Sequence, residues 1–152
     1  MKHFTFGEFS RSAVAAERGI DNTMPELAEA HVVELVDLLL DSLREAWGGP
    51  LTVTSGYRCA ELNRAVGGSD TSAHLAGWAA DLVPDKHDPR GIQGLVNFAV
   101  EWLTETGLSF DQLIDERSGG SRWLHVGIRN LEGKQRKEML LYDNGKYIRL
   151  EE

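Results

Sequence analysis

Between Thr23 and Trp47 the apolar residues Leu27, Val32, Leu35, Val36, Leu39, Leu43 and Trp47 return on helical spacing, and Gly48-Gly49-Pro50 ends the run. The pattern predicts a scaffold helix with one stripe in the core, opened by Thr23-Met24-Pro25-Glu26 in the form of a capping box. The period then falls to two. Leu51-Thr52-Val53-Thr54-Ser55 predicts a short strand, Gly56 a sharp exit, and Cys59 to Val66 a short helix closed by Gly67-Gly68. After Asp88-Pro89 a second long helix is expected from Gly91 to Thr106. Its buried stripe is Ile92, Leu95, Val96, Ala99, Trp102 and Leu103, and Gly107 ends it.

The C-terminal half alternates. Phe110 to Glu116 and Arg122 to Arg129 predict two strands joined by Ser118-Gly119-Gly120-Ser121, and Glu138 to Tyr142 pairs naturally with Lys146 to Leu150 around Asn144-Gly145. Helices segregated from a mostly antiparallel sheet make an α+β fold with helices packed on one side. No repeat, low-complexity tract or linker interrupts the chain, so one domain over 1–152 is expected.

Candidate chemistry concentrates in Ser72-Ala73-His74-Leu75-Ala76-Gly77-Trp78-Ala79-Ala80-Asp81 and in Trp123-Leu124-His125-Val126. Two imidazoles and one carboxylate form a ligand set that leaves a tetrahedral ion one open position for water. His74 and Asp81 are seven apart, which is not one helical face and suits a loop running into a strand. On the last strand Leu124, Val126 and Ile128 share one face, which leaves Trp123, His125 and Gly127 on the other, toward a cleft.

Composition narrows the function. A net charge of −8, with 16 Lys and Arg against 24 Asp and Glu, argues against nucleic acid or an anionic membrane as the main partner. No apolar run approaches the ~20 residues that cross a bilayer. The N-terminal Met1-Lys2-His3-Phe4-Thr5-Phe6-Gly7-Glu8 has no secretory h-region, so a cytoplasmic product is expected, acting elsewhere only if another factor releases or exports it. The lone Cys59 cannot close an internal disulfide and reads as a small packed side chain, with a nucleophile as the lesser alternative. His3, His31 and His87 have no partner at ligand spacing; His31 is placed at the edge of the first helix's stripe and His87 in a polar turn.

Several landmarks together resemble the peptidase M15 family of zinc D-alanyl-D-alanine carboxypeptidases and phage endolysin peptidases. They are Ser55-Gly56-Tyr57-Arg58, Asn63, Gly67-Gly68, Ser72-x-His74-x-x-Gly77-x-Ala79-x-Asp81 and Trp123-x-His125-Val126. Phe4, Glu8, Ser12, Ala13, Gly19-Ile20-Asp21-Asn22 and Pro25 resemble its compact single-domain branch. The resemblance implies a hedgehog-like zinc D-Ala-D-Ala peptidase fold and one zinc ion held by His74, Asp81 and His125. It further implies an Arg58 beside the metal that stabilises developing negative charge, and a Ser72 that supports the metal loop or touches substrate. The substrate it implies is a cell-wall peptide of peptidoglycan, and a monomer is expected. Without the family context a surface cation is the default reading of Arg58, and packing is the commoner reading of Trp123, with a site wall as the alternative.

One position departs from the better-known pattern. Many relatives carry Glu or Asp three residues before the last ligand, where this chain has Arg122, which cannot accept a proton. The stretch Phe110-Asp111-Gln112-Leu113-Ile114-Asp115-Glu116 is similar to one in the single-domain branch and makes Glu116 the candidate general base. Asp115 is the rival, because a one-residue register change exchanges the two, and either acid reads alternatively as a solvated strand end. The missing acid at Arg122 also feeds a second reading, a non-catalytic wall-binding or phage structural module that keeps the fold.

Overall fold

The computed structural model describes residues 1–150. Two short helices, α1 (Phe6–Ser10) and α2 (Ala13–Arg18), precede the long helical run. That run comprises α3 (Glu26–Leu35), a π-helical turn (Val36–Leu40) and α4 (Asp41–Trp47). Then come β1 (Leu51–Ser55), α5 (Ala60–Ala65), a 3-10 turn (Ala73–Ala76), β2 (Ala79–Pro84), α6 (Gly91–Thr106), β3 (Gln112–Ser118), β4 (Ser121–Gly127), β5 (Glu138–Asp143) and β6 (Lys146–Arg149). The fold is α+β: a six-stranded sheet in the order β1-β2-β4-β3-β5-β6 with helices against it.

Both hairpins turn as their residues require. Gly119 and Gly120 take φ of 57° and 82°, and Asn144 and Gly145 take 43° and 100°. Two consecutive left-handed residues are the twist-matched solution for a two-residue hairpin, and glycine and asparagine adopt it at least cost. The parallel pairing of β3 with β5 is the departure from the antiparallel expectation; residues 128–137 carry the chain back so that β5 runs alongside β3.

One core lies between the helices and one face of the sheet. It joins Val32, Leu35, Leu39 and Leu43 from the long run, Leu95, Val96, Ala99 and Leu103 from α6, and Ala80, Leu82, Leu124 and Val126 from the strands. Two details of the long run differ from its sequence pattern. Leu27 is exposed at 69%, because α3 begins beside it and its first turn projects past the core. The expected capping box also fails: Pro25 takes the N-cap position, and the Thr23 hydroxyl donates instead to Asp21 at 2.6 Å. The reciprocal contact of such a box occurs earlier, where the Glu8 carboxylate accepts from the Thr5 N–H at 2.8 Å. Among the described residues no helix is long and apolar enough to cross a membrane.

Candidate metal centre

The face of the sheet turned away from the core carries the polar groups. Asp81 on β2 stands directly opposite His125 on β4, and Ile114 on β3 stands opposite His125 from the other side. Residues directly opposite across an antiparallel ladder point to one face with Cβ atoms ~5 Å apart. Two neighbouring strands therefore deliver two of the three ligand candidates without any loop having to place them. His74 comes from the 3-10 turn that leads into β2, with the Ser72 hydroxyl capping that turn by accepting from the His74 N–H at 3.2 Å.

The three residues converge. One donor atom from each of His74, Asp81 and His125 lies within 4.8 Å of the others, and all three side chains are buried. Asp81 Oδ1 is 3.2 Å from His74 Nε2 and 3.0 Å from His125 Nδ1. His74 Nδ1 donates to the Gly56 carbonyl at 2.6 Å. A carbonyl can only accept, so this bond fixes the tautomer and leaves Nε2 with its lone pair toward the centre, the usual outer contact of a metal-binding histidine.

Electrostatics favours a cation here. Burial pushes the His74 imidazole below its ordinary value and keeps it a neutral donor. Burial alone would raise the Asp81 carboxyl, but the charges and hydrogen bonds of His74 and His125 hold it well below the usual carboxylate range. At His125 burial opposes the charged form, yet the Asp81 and Glu116 carboxylates prevail and raise it. The carboxylates thus draw positive charge to the point between the imidazoles, which a divalent ion would supply in place of a proton. The donor set of two nitrogens and one oxygen fits such an ion.

Other groups line the same cleft of about 340 Å³. Glu116 Oε1 is 3.4 Å from His125 Nδ1. Burial raises the Glu116 carboxyl above its ordinary value, with Asp81 adding to the rise and His125 and Arg58 opposing it. Trp123 stands opposite Glu116 across the β3–β4 pair, and its buried indole N–H has no hydrogen-bond partner among the described residues. Arg58 Nη2 is 3.6 Å from Asp81 Oδ2. Its Nε donates to the Ser55 hydroxyl at 3.1 Å and its Nη1 to Asn63 Oδ1 at 3.2 Å, so the guanidinium is held in a fixed orientation.

Asp115 occupies the opposite face. Arg122 grips it with Nε and Nη2, both at 2.9 Å, and Arg117 adds a bond at 3.1 Å. Strand parity separates the two acids: Glu116 faces the cleft and Asp115 does not. Arg122, at the position where an acid was expected, turns with Asp115 away from the imidazoles.

Several supports escaped the sequence pattern. Asn22, buried, donates through Nδ2 to the Ser10 and Tyr57 carbonyls and accepts the Cys59 N–H at 2.8 Å, which ties the N-terminal helices to the segment bearing Arg58. Cys59 itself caps α5 through its sulfur and does not line the metal cleft. Gly56 passes so close to Phe9 that a Cβ would sit 2.6 Å from the Phe9 Cα. His31 stacks on Trp78 at 3.8 Å, and its Nδ1 donates to the Ala76 carbonyl at 2.8 Å, which braces the turn that carries His74. Tyr142 and Tyr147 line the far end of the cleft. Asn22 and Gly56 stood among the family landmarks without a role assigned to them, and nothing in the local pattern joined His31, Tyr142 or Tyr147 to the site before the strands are paired.

The sequence pattern of the family described as Peptidase M15 matches residues 2–110. The chain belongs to the peptidase M15 family. It is a peptidase by that membership, and the matched stretch contains Arg58, His74 and Asp81 but ends before Glu116 and His125. No curated protein matches the chain.

Proposed function

We propose that this peptidase is zinc-dependent and hydrolyses an amide bond in the stem or cross-link peptides of peptidoglycan. The observation that carries the reading is the buried His74–Asp81–His125 group with Glu116 against its edge, at 3.4 Å from His125. When bound, zinc supplies a Lewis acid that acidifies water and polarises a carbonyl. The chain's own residues do the rest. Glu116, its carboxyl raised by burial toward the range of a working base, takes a proton from the attacking water. The water oxygen bonds to the carbonyl carbon, the C–N bond breaks, and the leaving nitrogen receives the proton from Glu116. Arg58, held by Ser55 and Asn63, faces the negative charge that develops on the carbonyl oxygen. Ser72 orders the turn that presents His74.

Metal analysis joined to muropeptide digestion on one preparation tests this. One zinc per chain and hydrolysis are expected, and His74→Ala and His125→Ala should lose both. A metal-free protein, or variants that still hydrolyse peptidoglycan, would remove the basis of the proposal. A folded, zinc-loaded protein inert on every muropeptide would favour the non-catalytic wall-binding module instead.

A further inference from the structure

Along the cleft the groups stand in the spatial order of the strands. Arg58 lies just beyond the end of β1, Asp81 is on β2, His125 on β4, Glu116 on β3, Tyr142 on β5 and Tyr147 on β6. Trp123, Glu116, Tyr142 and Tyr147 are direct partners across β4, β3, β5 and β6, so they form one row across the sheet. Side chains in such a row share one face. All four line the cleft that holds the metal group.

The row ends in open aromatic surface. Tyr142 and Tyr147 lie with ring centroids 4.8 Å apart, and Tyr147, on the edge strand, is 62% exposed. A cross-strand tyrosine pair steadies its hairpin, yet this one leaves most of the outer ring bare. Burial raises the Tyr147 phenol above its ordinary value and the Glu116 carboxylate adds to the rise, so the ring meets the cleft uncharged.

The order of the groups gives a substrate a direction. In the mechanism proposed above, Arg58 faces the carbonyl oxygen and Glu116 delivers a proton to the leaving nitrogen. Arg58 approaches the metal group from the β1 side, against Asp81, and Glu116 from the β3 side, against His125. The nitrogen of the scissile amide therefore points toward β5 and β6, and the residue that carries it extends the same way. Neighbouring strands are about 5 Å apart, which puts Tyr142 about 5 Å and Tyr147 about 10 Å beyond the strand of the base. A methyl side chain on that residue falls short of Tyr147. A long unbranched one lies across both rings and removes apolar surface from water.

Resting on the peptidase reading above, we propose that Tyr142 and Tyr147 form the subsite for the residue on the amine side of the scissile bond and select a long aliphatic side chain there.

Two synthetic stem peptides, alike except for alanine or norleucine on the amine side, test this with the zinc-loaded protein. Norleucine should raise kcat/KM by roughly tenfold, Tyr147→Ala should cut that ratio to about twofold or less, and Tyr147→Phe, which keeps the ring, should restore it. A second pair, varied in the same way on the acyl side, should give a ratio that Tyr147→Ala does not move. Tyr147 lies outside the core, so its replacement by alanine spares the fold. Equal rates for the first pair, a ratio that survives Tyr147→Ala, a Tyr147→Phe that behaves as the alanine variant, or a loss felt on the acyl-side pair instead overturns the subsite. Calorimetry of the first pair on the zinc-loaded Glu116→Gln variant separates that failure from failure of the peptidase reading. A norleucine preference in binding that Tyr147→Ala removes, with neither peptide cut by the wild type, keeps the subsite and sinks the peptidase reading. Cleavage of both peptides without such a preference keeps the peptidase and sinks the subsite, and a protein that neither cuts nor binds either peptide removes both.

Discussion

The two faces of the sheet are built by the same strands and differ in almost everything else. On the covered face Leu82, Leu124 and Val126 meet the long helices with no exposure above 1%. On the other, Asp81, His125 and Glu116 gather charge around a cleft. Leu124 and His125 are sequence neighbours, as are Asp115 and Glu116, yet each pair is split between faces by the two-residue period of a strand. Packing rewards the first face and chemistry occupies the second. The rigid apolar side is what lets three polar groups be held within a few ångströms on the other, since their burial is costly and only a well-packed scaffold offsets it.

Substitutions at adjacent positions should separate the faces. The largest effect is expected for Glu116→Gln, which should lower the hydrolytic rate by about 10²–10⁴ while metal content and thermal stability stay as in the wild type. A rate near that of the wild type would move the base elsewhere. Leu124→Ala should cost about 2–5 kcal/mol in a denaturant titration by opening a cavity beneath the sheet. Its metal stoichiometry should survive wherever the protein remains folded, and loss of metal at low denaturant would mean that the faces are not separable.

Asp115→Asn should cost about 1–3 kcal/mol by weakening the grip on Arg122, with activity retained. The effect should depend on pH in a definite sense. Burial alone would raise the Asp115 carboxyl, but Arg122 and Arg117 hold it below its ordinary value. Its contribution is therefore present above the unfolded carboxylate pKa and lost as pH falls through that value toward the lower folded one. The wild type should lose its advantage over the variant across that acid window, and an advantage constant with pH would contradict the assignment. The smallest effect is expected for Gly68→Ala, whose Cβ would lie 2.1 Å from Asn63 Oδ1 and 2.9 Å from Arg58 Nη1. Displacing Arg58 should lower kcat/KM by roughly tenfold with metal content unchanged.

Much of this was legible in local pattern. The helical stripe, both two-residue hairpins, the loop running into the strand that bears Asp81 and the facing of His125 depend on periodicity and turn residues, which act over a few positions and are written in the chain directly. The run from Ser72 to Asp81 identified two ligand candidates because it lies within one short stretch, and strand alternation around His125 offered the third. Local pattern did not reveal the short helices α1 and α2, which are too brief to show a period. Nor did it show that Leu27 lies outside the core, since a stripe says which residues align and not where a helix begins to meet its neighbour.

The amino-acid sequence by itself determined the longer elements, their faces and the residue types able to hold a metal. Tertiary structure decided which of them meet. Insertion of β2 between β1 and β4 set Asp81 opposite His125, and the register of β3 chose Glu116 over Asp115. The parallel return of β5 brought Tyr142 to the cleft, and Asn22 joined segments 35 residues apart. These are long-range contacts, whose identity depends on how sheet order and loop closure compete over the whole chain, and no window of neighbouring residues contains that information.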